Sequence, residues 1–176
     1  MKLKVVVDRD LLPLNQQQTI LRDEFETYKR LSLAQNPKNF ITPSVGDQMN
    51  YPSDHPSFGR DTEFERPESL ITDIHRYRLT KVHVDTKAVW KPHTKQWYCT
   101  SNESIVYSGF ITPDNTYIFV IIEFLTAENA NNPENFDAHK NYTSEDVDSF
   151  LDIAAENEDD ILNDLDQCDS EPPIAS

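Results

Sequence analysis

The 176-residue chain has little glycine and cysteine and no long apolar run. Its three glycines cannot form a P-loop or a dinucleotide-binding fingerprint, because both motifs need several closely spaced glycines. Its two cysteines, Cys99 and Cys168, are too few for a disulfide framework or a cysteine-based zinc site. The longest apolar run, residues 117–122, is too short to span a membrane. We therefore expect a cytoplasmic protein with reduced thiols and no membrane segment.

Basic residues are absent after Lys140, and this sets the charge distribution. The chain carries 16 Lys and Arg against 31 Asp and Glu, a net charge of −15. The last 36 residues hold 12 of the carboxylates, so the first 140 residues carry 19 acids against 16 bases, a net charge of −3. A nearly neutral body remains compatible with binding RNA phosphates, which strong negative charge would oppose.

We predict a domain at residues 1–155 and an acidic, partly disordered tail at residues 156–176. The tail either keeps the protein soluble or folds over a positive site and competes with RNA.

Apolar periodicity predicts an α+β domain. Residues 3–7 are typical of a strand, and residues 15–35 of a helix with Asn15 as its N-cap. A proline-rich loop is expected from about residue 36 to 68. Residues 71–77, 79–84, 97–99, 105–110 and 117–124 are interpreted as β structure, and residues 112–115 as a hairpin turn. A C-terminal helix should follow the capping-box pattern at residues 143–146. The expected arrangement is one layer of helix on an antiparallel sheet.

The motifs of metal and serine hydrolases are missing. The five histidines are dispersed and form no H-x-x-x-H or H-E-x-x-H pair, and G-x-S-x-G is absent. We therefore predict no metal and no cofactor. What remains is chemistry that needs only cations and proton-transferring groups, such as cleavage of RNA through its own 2′-hydroxyl. Residues of the right types are present: Arg60, Asp61, His83, His139 and Lys140, with the Tyr107 hydroxyl.

Several motifs resemble, in order and spacing, the YafO family of type II toxins. They are residues 25–30, Phe58-Gly59-Arg60-Asp61, Lys81-Val82-His83-Val84, residues 106–110, residues 118–125 and Ala138-His139-Lys140. The resemblance extends over about residues 1–155 and implies a RelE/ParE-like fold. Members of this family are bacterial mRNA interferases that cleave translated mRNA on the ribosome. The resemblance therefore implies an endoribonuclease toxin with mRNA, the ribosome and a small cognate antitoxin as partners. It also implies an active surface on the concave face of the sheet together with the loop before it.

Residue types and resemblance together suggest specific roles. His139 or His83 would act as general acid or base, Arg60 and Lys140 would bind the phosphate, and Asp61 would orient Arg60. Lys81 and Tyr107 complete the expected substrate-binding set.

Each of these residues also has a purely structural interpretation. Arg60 and Asp61 could form a loop ion pair, His83 could be hydrogen-bonded inside the sheet, and Tyr107 could belong to the core. His139 could simply precede a helix cap.

Two further alternatives stay open. Trp90 and Trp97 are interpreted as hairpin packing, with base stacking as the other option. The whole chain could instead be a non-catalytic acidic interaction or inhibitor protein on the same scaffold.

Overall fold

The computed structural model describes residues 1–127, 137 and 142–170, with side chains as far as Leu165. These residues form a five-stranded sheet and four α-helices, which confirms the α+β class. In chain order the elements are β1 (Lys2–Val7), α1 (Gln16–Gln35), α2 (Val45–Asn50), β2 (Phe58–Glu63), α3 (Ile71–Tyr77), β3 (Thr80–Val84), β4 (Ser104–Ile111), β5 (Thr116–Leu125) and α4 (Ser144–Ser170).

The strand order is β1-β5-β4-β3-β2. The predicted hairpin is confirmed, since β4 and β5 pair antiparallel around the turn at residues 112–115. The pairs β2–β3 and β3–β4 are also antiparallel, whereas β1 pairs parallel with β5. The sheet is therefore mixed rather than antiparallel throughout.

The N-terminal helix begins and ends where the sequence predicts. The Asn15 side chain accepts a hydrogen bond from the Gln18 backbone N–H at 2.8 Å, and the Gln18 side chain accepts from the Asn15 N–H at 2.9 Å. This capping box satisfies two backbone donors that the first turn leaves unpaired. The helix ends before Pro37, because the residue preceding a proline is forced out of the helical region.

Helices cover both faces of the sheet, whereas the sequence suggested a single helical layer. Along β5, Phe119 and Ile121 pack with α1, and the alternate residues Ile118 and Val120 pack with α3 and α4. Helix α1 buries four apolar or aromatic residues, Leu21, Phe25, Tyr28 and Leu33. Each contributes about 1.5–3 kcal/mol by leaving water.

Three local predictions are wrong, because the tertiary environment determined the conformation of each segment. Residues 71–77 form helix α3, because a seven-residue segment is too short for its period to separate helix from strand. Residues 97–99 lie in and after a 3-10 turn at Gln96–Tyr98, not in a strand. The expected loop at residues 36–68 contains α2 and β2, and β2 pairs with β3, which follows only after α3 in the chain.

Helix α4 runs through the predicted tail to Ser170. Its second half packs on the body: the Asn157 side chain donates to the Asp8 carboxylate at 2.7 Å, and Arg9 pairs with Glu156 at 3.2 Å. The proposed boundary at residue 155 falls inside this helix. No helix of the described ranges is long and apolar enough to cross a membrane.

Candidate functional site

A β-bulge in β2 separates the side chains of the Phe58-Gly59-Arg60-Asp61 motif. Phe58 pairs with Val84 and Asp61 with Val82, so two residues of β2 lie opposite His83. Phe58 and Asp61 therefore both point toward α1, whereas Arg60 points to the face that carries α4.

Gly59 is required at the bulge by close backbone contact. The Arg60 N–H donates to the Cys99 carbonyl at 2.9 Å, and a Cβ on Gly59 would lie 2.0 Å from the same carbonyl oxygen. Only glycine allows the segment after the 3-10 turn to approach β2 this closely.

On the α4 face, the sheet carries a groove above β2 and β3 that we call the β2–β3 groove. Its volume is about 430 Å³, within the range of small-ligand sites. The groove brings together three residues selected from the sequence: Arg60, Lys81 and His83. The other residues that line it are Thr62, Glu63, Phe64, Glu65, Arg66, Trp97 and Tyr142.

Arg60 is held rigidly against Trp97. Its Nε donates to the Trp97 carbonyl at 2.8 Å, and its guanidinium carbon lies 4.4 Å from the centre of the Trp97 ring. Stacking of this kind fixes the guanidinium plane and adds a cation–π attraction. Among the described residues no carboxylate forms an ion pair with Arg60, so its terminal amino groups remain available for an anion.

His83 is almost buried, with 4% of its surface exposed, and it still lines the groove. Its Nδ1 lies 2.9 Å from the Ser101 carbonyl oxygen and 3.2 Å from the Ser101 backbone nitrogen. These contacts fix the orientation of the ring, and a proton on Nδ1 would be donated to the carbonyl. His83 thus combines the structural position expected of an interior histidine with a place in the groove.

Lys81 contacts Tyr142, a residue that the sequence did not single out. Its Nζ donates to the Tyr142 hydroxyl at 2.6 Å and lies 5.2 Å from the centre of the Phe64 ring. Within the described ranges Lys81 has no carboxylate partner. The only signal for Tyr142 was its position just before the predicted C-terminal helix, because a contact across 61 residues leaves no periodic pattern.

Asp61 and Tyr107 lie in the core instead of the groove. The Lys29 ammonium uses its three protons on Asp61 Oδ2, the Ile41 carbonyl and the Tyr107 hydroxyl, at 2.7, 2.6 and 2.6 Å. The hydroxyls of Tyr28 and Tyr107 donate to the same carboxylate at 2.8 and 2.6 Å. These contacts replace the predicted contact of Asp61 with Arg60, because neighbouring strand residues point to opposite faces and the bulge turns Asp61 toward α1.

Burial perturbs the titratable groups of this network. Desolvation, reinforced by the Asp61 charge, raises the pKa values of Tyr28 and Tyr107 well above 10.0. Desolvation lowers the pKa of Lys29, and the attraction of Asp61 opposes that shift. The network is therefore a buried ion pair with two neutral phenols that holds β2 against α1.

His139 and Lys140 lie outside the described residues. In the part of the chain that the structure describes, no three His, Cys, Asp or Glu side chains are grouped so that they could hold a metal ion.

Comparison with known protein families identifies a relationship for most of the chain. The family model for the toxin YafO of type II toxin–antitoxin systems matches residues 35–152, about two thirds of the chain. No curated protein and no solved structure matches the chain. The matched region includes every residue that lines the β2–β3 groove. The chain therefore belongs to the YafO family of type II toxin–antitoxin toxins.

Proposed function

We propose that this toxin is an endoribonuclease that cleaves mRNA on the ribosome by metal-independent transesterification and thereby inhibits translation. One observation carries the proposal: Arg60, Lys81 and His83 line a single groove in which neither cation is neutralised by an ion pair with a described carboxylate. As a member of a type II system, the toxin has an antitoxin as its partner.

The reaction moves two protons. A base takes the proton of the 2′-hydroxyl as O2′ attacks phosphorus, and the bond between phosphorus and O5′ breaks as O5′ receives a proton from an acid. The products are a 2′,3′-cyclic phosphate and a 5′-hydroxyl. Charge that gathers on the phosphoryl oxygens in the transition state needs nearby cations, which side chains can supply.

The groove residues suit these roles. The planar fork of Arg60, fixed by Trp97, matches two phosphoryl oxygens. His83 lies opposite the bulge beside Arg60 and is the candidate general base. His139 remains an alternative acid or base and Lys140 a second phosphate-binding cation.

Beyond its first turn, where Glu145 and Asp146 follow Tyr142, helix α4 leads away from the groove as far as its side chains are described. It starts beside Tyr142 and extends about 40 Å, with Glu156 at the opposite edge of the sheet beside Arg9. Exposed charges are largely screened beyond about 8 Å in physiological salt. This geometry favours a packing and solubilising role for the tail over competition with RNA.

Induced expression in a bacterium tests the proposal. We expect growth arrest with mRNA cut within translated regions, 5′-hydroxyl ends at the cuts, and no cutting of an mRNA without a start codon. The purified toxin should cleave ribosome-bound mRNA in the presence of a chelator.

Four alanine variants connect the activity to individual residues. Replacing His83 should lower the cleavage rate by about 10² to 10⁴. Arg60→Ala should also abolish growth arrest while the protein stays folded, and His139→Ala should do so if His139 is the acid or the base. Arg30→Ala, at an exposed base on α1, should leave growth arrest unchanged. Growth arrest with intact mRNA would contradict the proposal. Harmless accumulation of the wild type would favour the non-catalytic acidic interaction protein.

A further inference from the structure

The contact between Lys81 and Tyr142 supplies a second proton-transferring group for the proposed reaction. The reaction needs an acid as well as a base, and His83 can fill only one of these roles in each cleavage step. Lys81 Nζ can only donate, so at 2.6 Å the Tyr142 oxygen must be the acceptor. The hydroxyl therefore keeps its own proton for another acceptor, and none of the described residues provides one.

Tyr142 is held at the groove from two sides. Its ring packs edge-on against Phe64, with 5.3 Å between the ring centres. The next residue, Thr143, is fixed as part of the cap of α4, since its hydroxyl donates to Asp146 at 2.9 Å and accepts from the Asp146 N–H at 3.3 Å. Ring packing and the start of a long helix thus fix the position of the Tyr142 hydroxyl. A group that transfers a proton needs such a fixed position.

The position of Tyr142 relative to His83 suits an acid and base pair. Lys81 and His83 are two residues apart on the same face of β3, which separates their backbones by about 7 Å. A phosphate bound by Arg60 in the same groove would have His83 on one side and the Tyr142 hydroxyl, beyond Lys81, on the other.

Building on the proposed function, we propose that Tyr142 is the general acid of RNA cleavage and that Lys81 returns a proton to it. The Tyr142 O–H gives its proton to O5′ as the bond between phosphorus and O5′ breaks. Lys81 passes a proton to the phenolate across their existing hydrogen bond, and the resulting amine recovers a proton from water. His83 takes the proton of the 2′-hydroxyl, so one proton leaves the substrate and one enters it.

The Lys81 ammonium also stabilises the intermediate phenolate directly. A positive charge at hydrogen-bond distance favours the charged form of its neighbour, and the partly enclosed groove strengthens the attraction over that in bulk water.

A substrate with sulfur in place of O5′ separates the contribution of the general acid to the cleavage rate from that of the general base. A thiolate leaves without being protonated, because it is a much weaker base than an alkoxide. The experiment uses the full-length toxin and a short synthetic mRNA bound to ribosomes, with either oxygen or sulfur at the bridging 5′ position of the cleaved linkage. Single-turnover rates are measured for the wild type, Tyr142→Phe and His83→Ala. The control is Tyr98→Phe, which removes a hydroxyl from an exposed ring outside the groove.

We expect Tyr142→Phe to cleave the oxygen substrate about 10² to 10⁴ times more slowly than the wild type and the sulfur substrate at nearly the wild-type rate. His83→Ala should be slow on both substrates, and Tyr98→Phe should match the wild type on both. Phenylalanine keeps the ring contact with Phe64, and an unchanged circular dichroism spectrum verifies the fold.

The inference is overturned if Tyr142→Phe cleaves the oxygen substrate within threefold of the wild type, or if it is equally slow on both substrates. If the proposed function itself is wrong, the wild type will leave both substrates intact, and the inference about Tyr142 will then be wrong as well. That result differs from the two outcomes that overturn only the role of Tyr142.

Discussion

Neutralising Asp61 tests whether the buried network holds β2 in place. The ion pair of Asp61 with Lys29 is fully enclosed, with 0% and 1% of the two side chains exposed. Asp61→Asn keeps the size of the side chain but leaves the ammonium of Lys29 buried without an opposite charge. The donors of Tyr28 and Tyr107 also lose a charged acceptor.

The expected loss follows from the burial of the pair. Removing one partner of a buried ion pair typically costs about 3–5 kcal/mol, because the other charge stays desolvated. Asparagine preserves the volume, so no cavity adds to this cost. A domain of this size is usually stable by about 5–15 kcal/mol, so the variant should fold but lose a large share of its stability.

Urea unfolding followed by circular dichroism measures the loss. With a slope of about 2 kcal/mol per molar, the midpoint should fall by about 2 M. Glu26→Gln is the matched control, because it makes the same chemical change in an exposed pair with Arg30 and should change stability by less than about 0.5 kcal/mol. In a second variant that combines Asp61→Asn with Lys29→Met, stability should partly recover because the unpaired charge is gone.

The pH dependence of Asp61→Asn has a definite sign. Burial already lowers the pKa of Lys29, and loss of Asp61 removes the attraction that opposes this shift. Between the lowered pKa and the unfolded value of 10.5, the unfolded state binds more protons, so stability rises with pH. The deficit relative to the wild type should therefore narrow as the pH rises toward 10.5. A loss below about 1 kcal/mol, or a double variant no more stable than Asp61→Asn, would refute the reasoning.

Three further predictions follow from the same structure. Gly59→Ala should lower the free energy of unfolding in urea by at least about 1–3 kcal/mol and abolish RNA cleavage, because the alanine Cβ would lie 2.0 Å from a backbone carbonyl oxygen. The control Gly46→Ala should do neither, because its Cβ would lie 3.8 Å from the nearest side-chain atom. Deleting residues 157–176 should lower the melting temperature without raising cleavage, because the deleted segment packs on the body; increased cleavage would instead support autoinhibition. In an alkaline titration, Tyr28 and Tyr107 should ionise only as the protein unfolds. Their contribution to stability is complete below about pH 10 and is lost as the pH rises through their raised pKa values. Tyrosinate absorbance that develops fully before unfolding would contradict this prediction.

The sequence predicted the elements whose signals are local. The cap at Asn15, the apolar spacing of α1, the turn at residues 112–115 and the capping pattern before α4 all act within a few residues, and the structure confirms each of them. The family resemblance was also contained in the sequence, since it rests on short motifs in a fixed order, and the family match confirms it.

The candidate site was only partly predictable. Arg60, Lys81 and His83 were selected by residue type, and the sequence could not indicate that they line one groove. Asp61 was assigned to Arg60 because the two are adjacent, but the bulge turns it toward Lys29, 32 residues away. Tyr142 had no signal except its position just before the predicted C-terminal helix.

The sequence alone therefore determined the class of fold, the helix boundaries set by caps and prolines, and the family. The tertiary structure decided that residues 71–77 are helical, which way each side chain of the Phe58-Gly59-Arg60-Asp61 motif points, and which residues share the groove. The physical reason is that caps, turns and periodic apolar faces depend on interactions between residues that are close in the sequence. Strand register, bulges and buried ion pairs depend instead on partners that only the folded chain brings together.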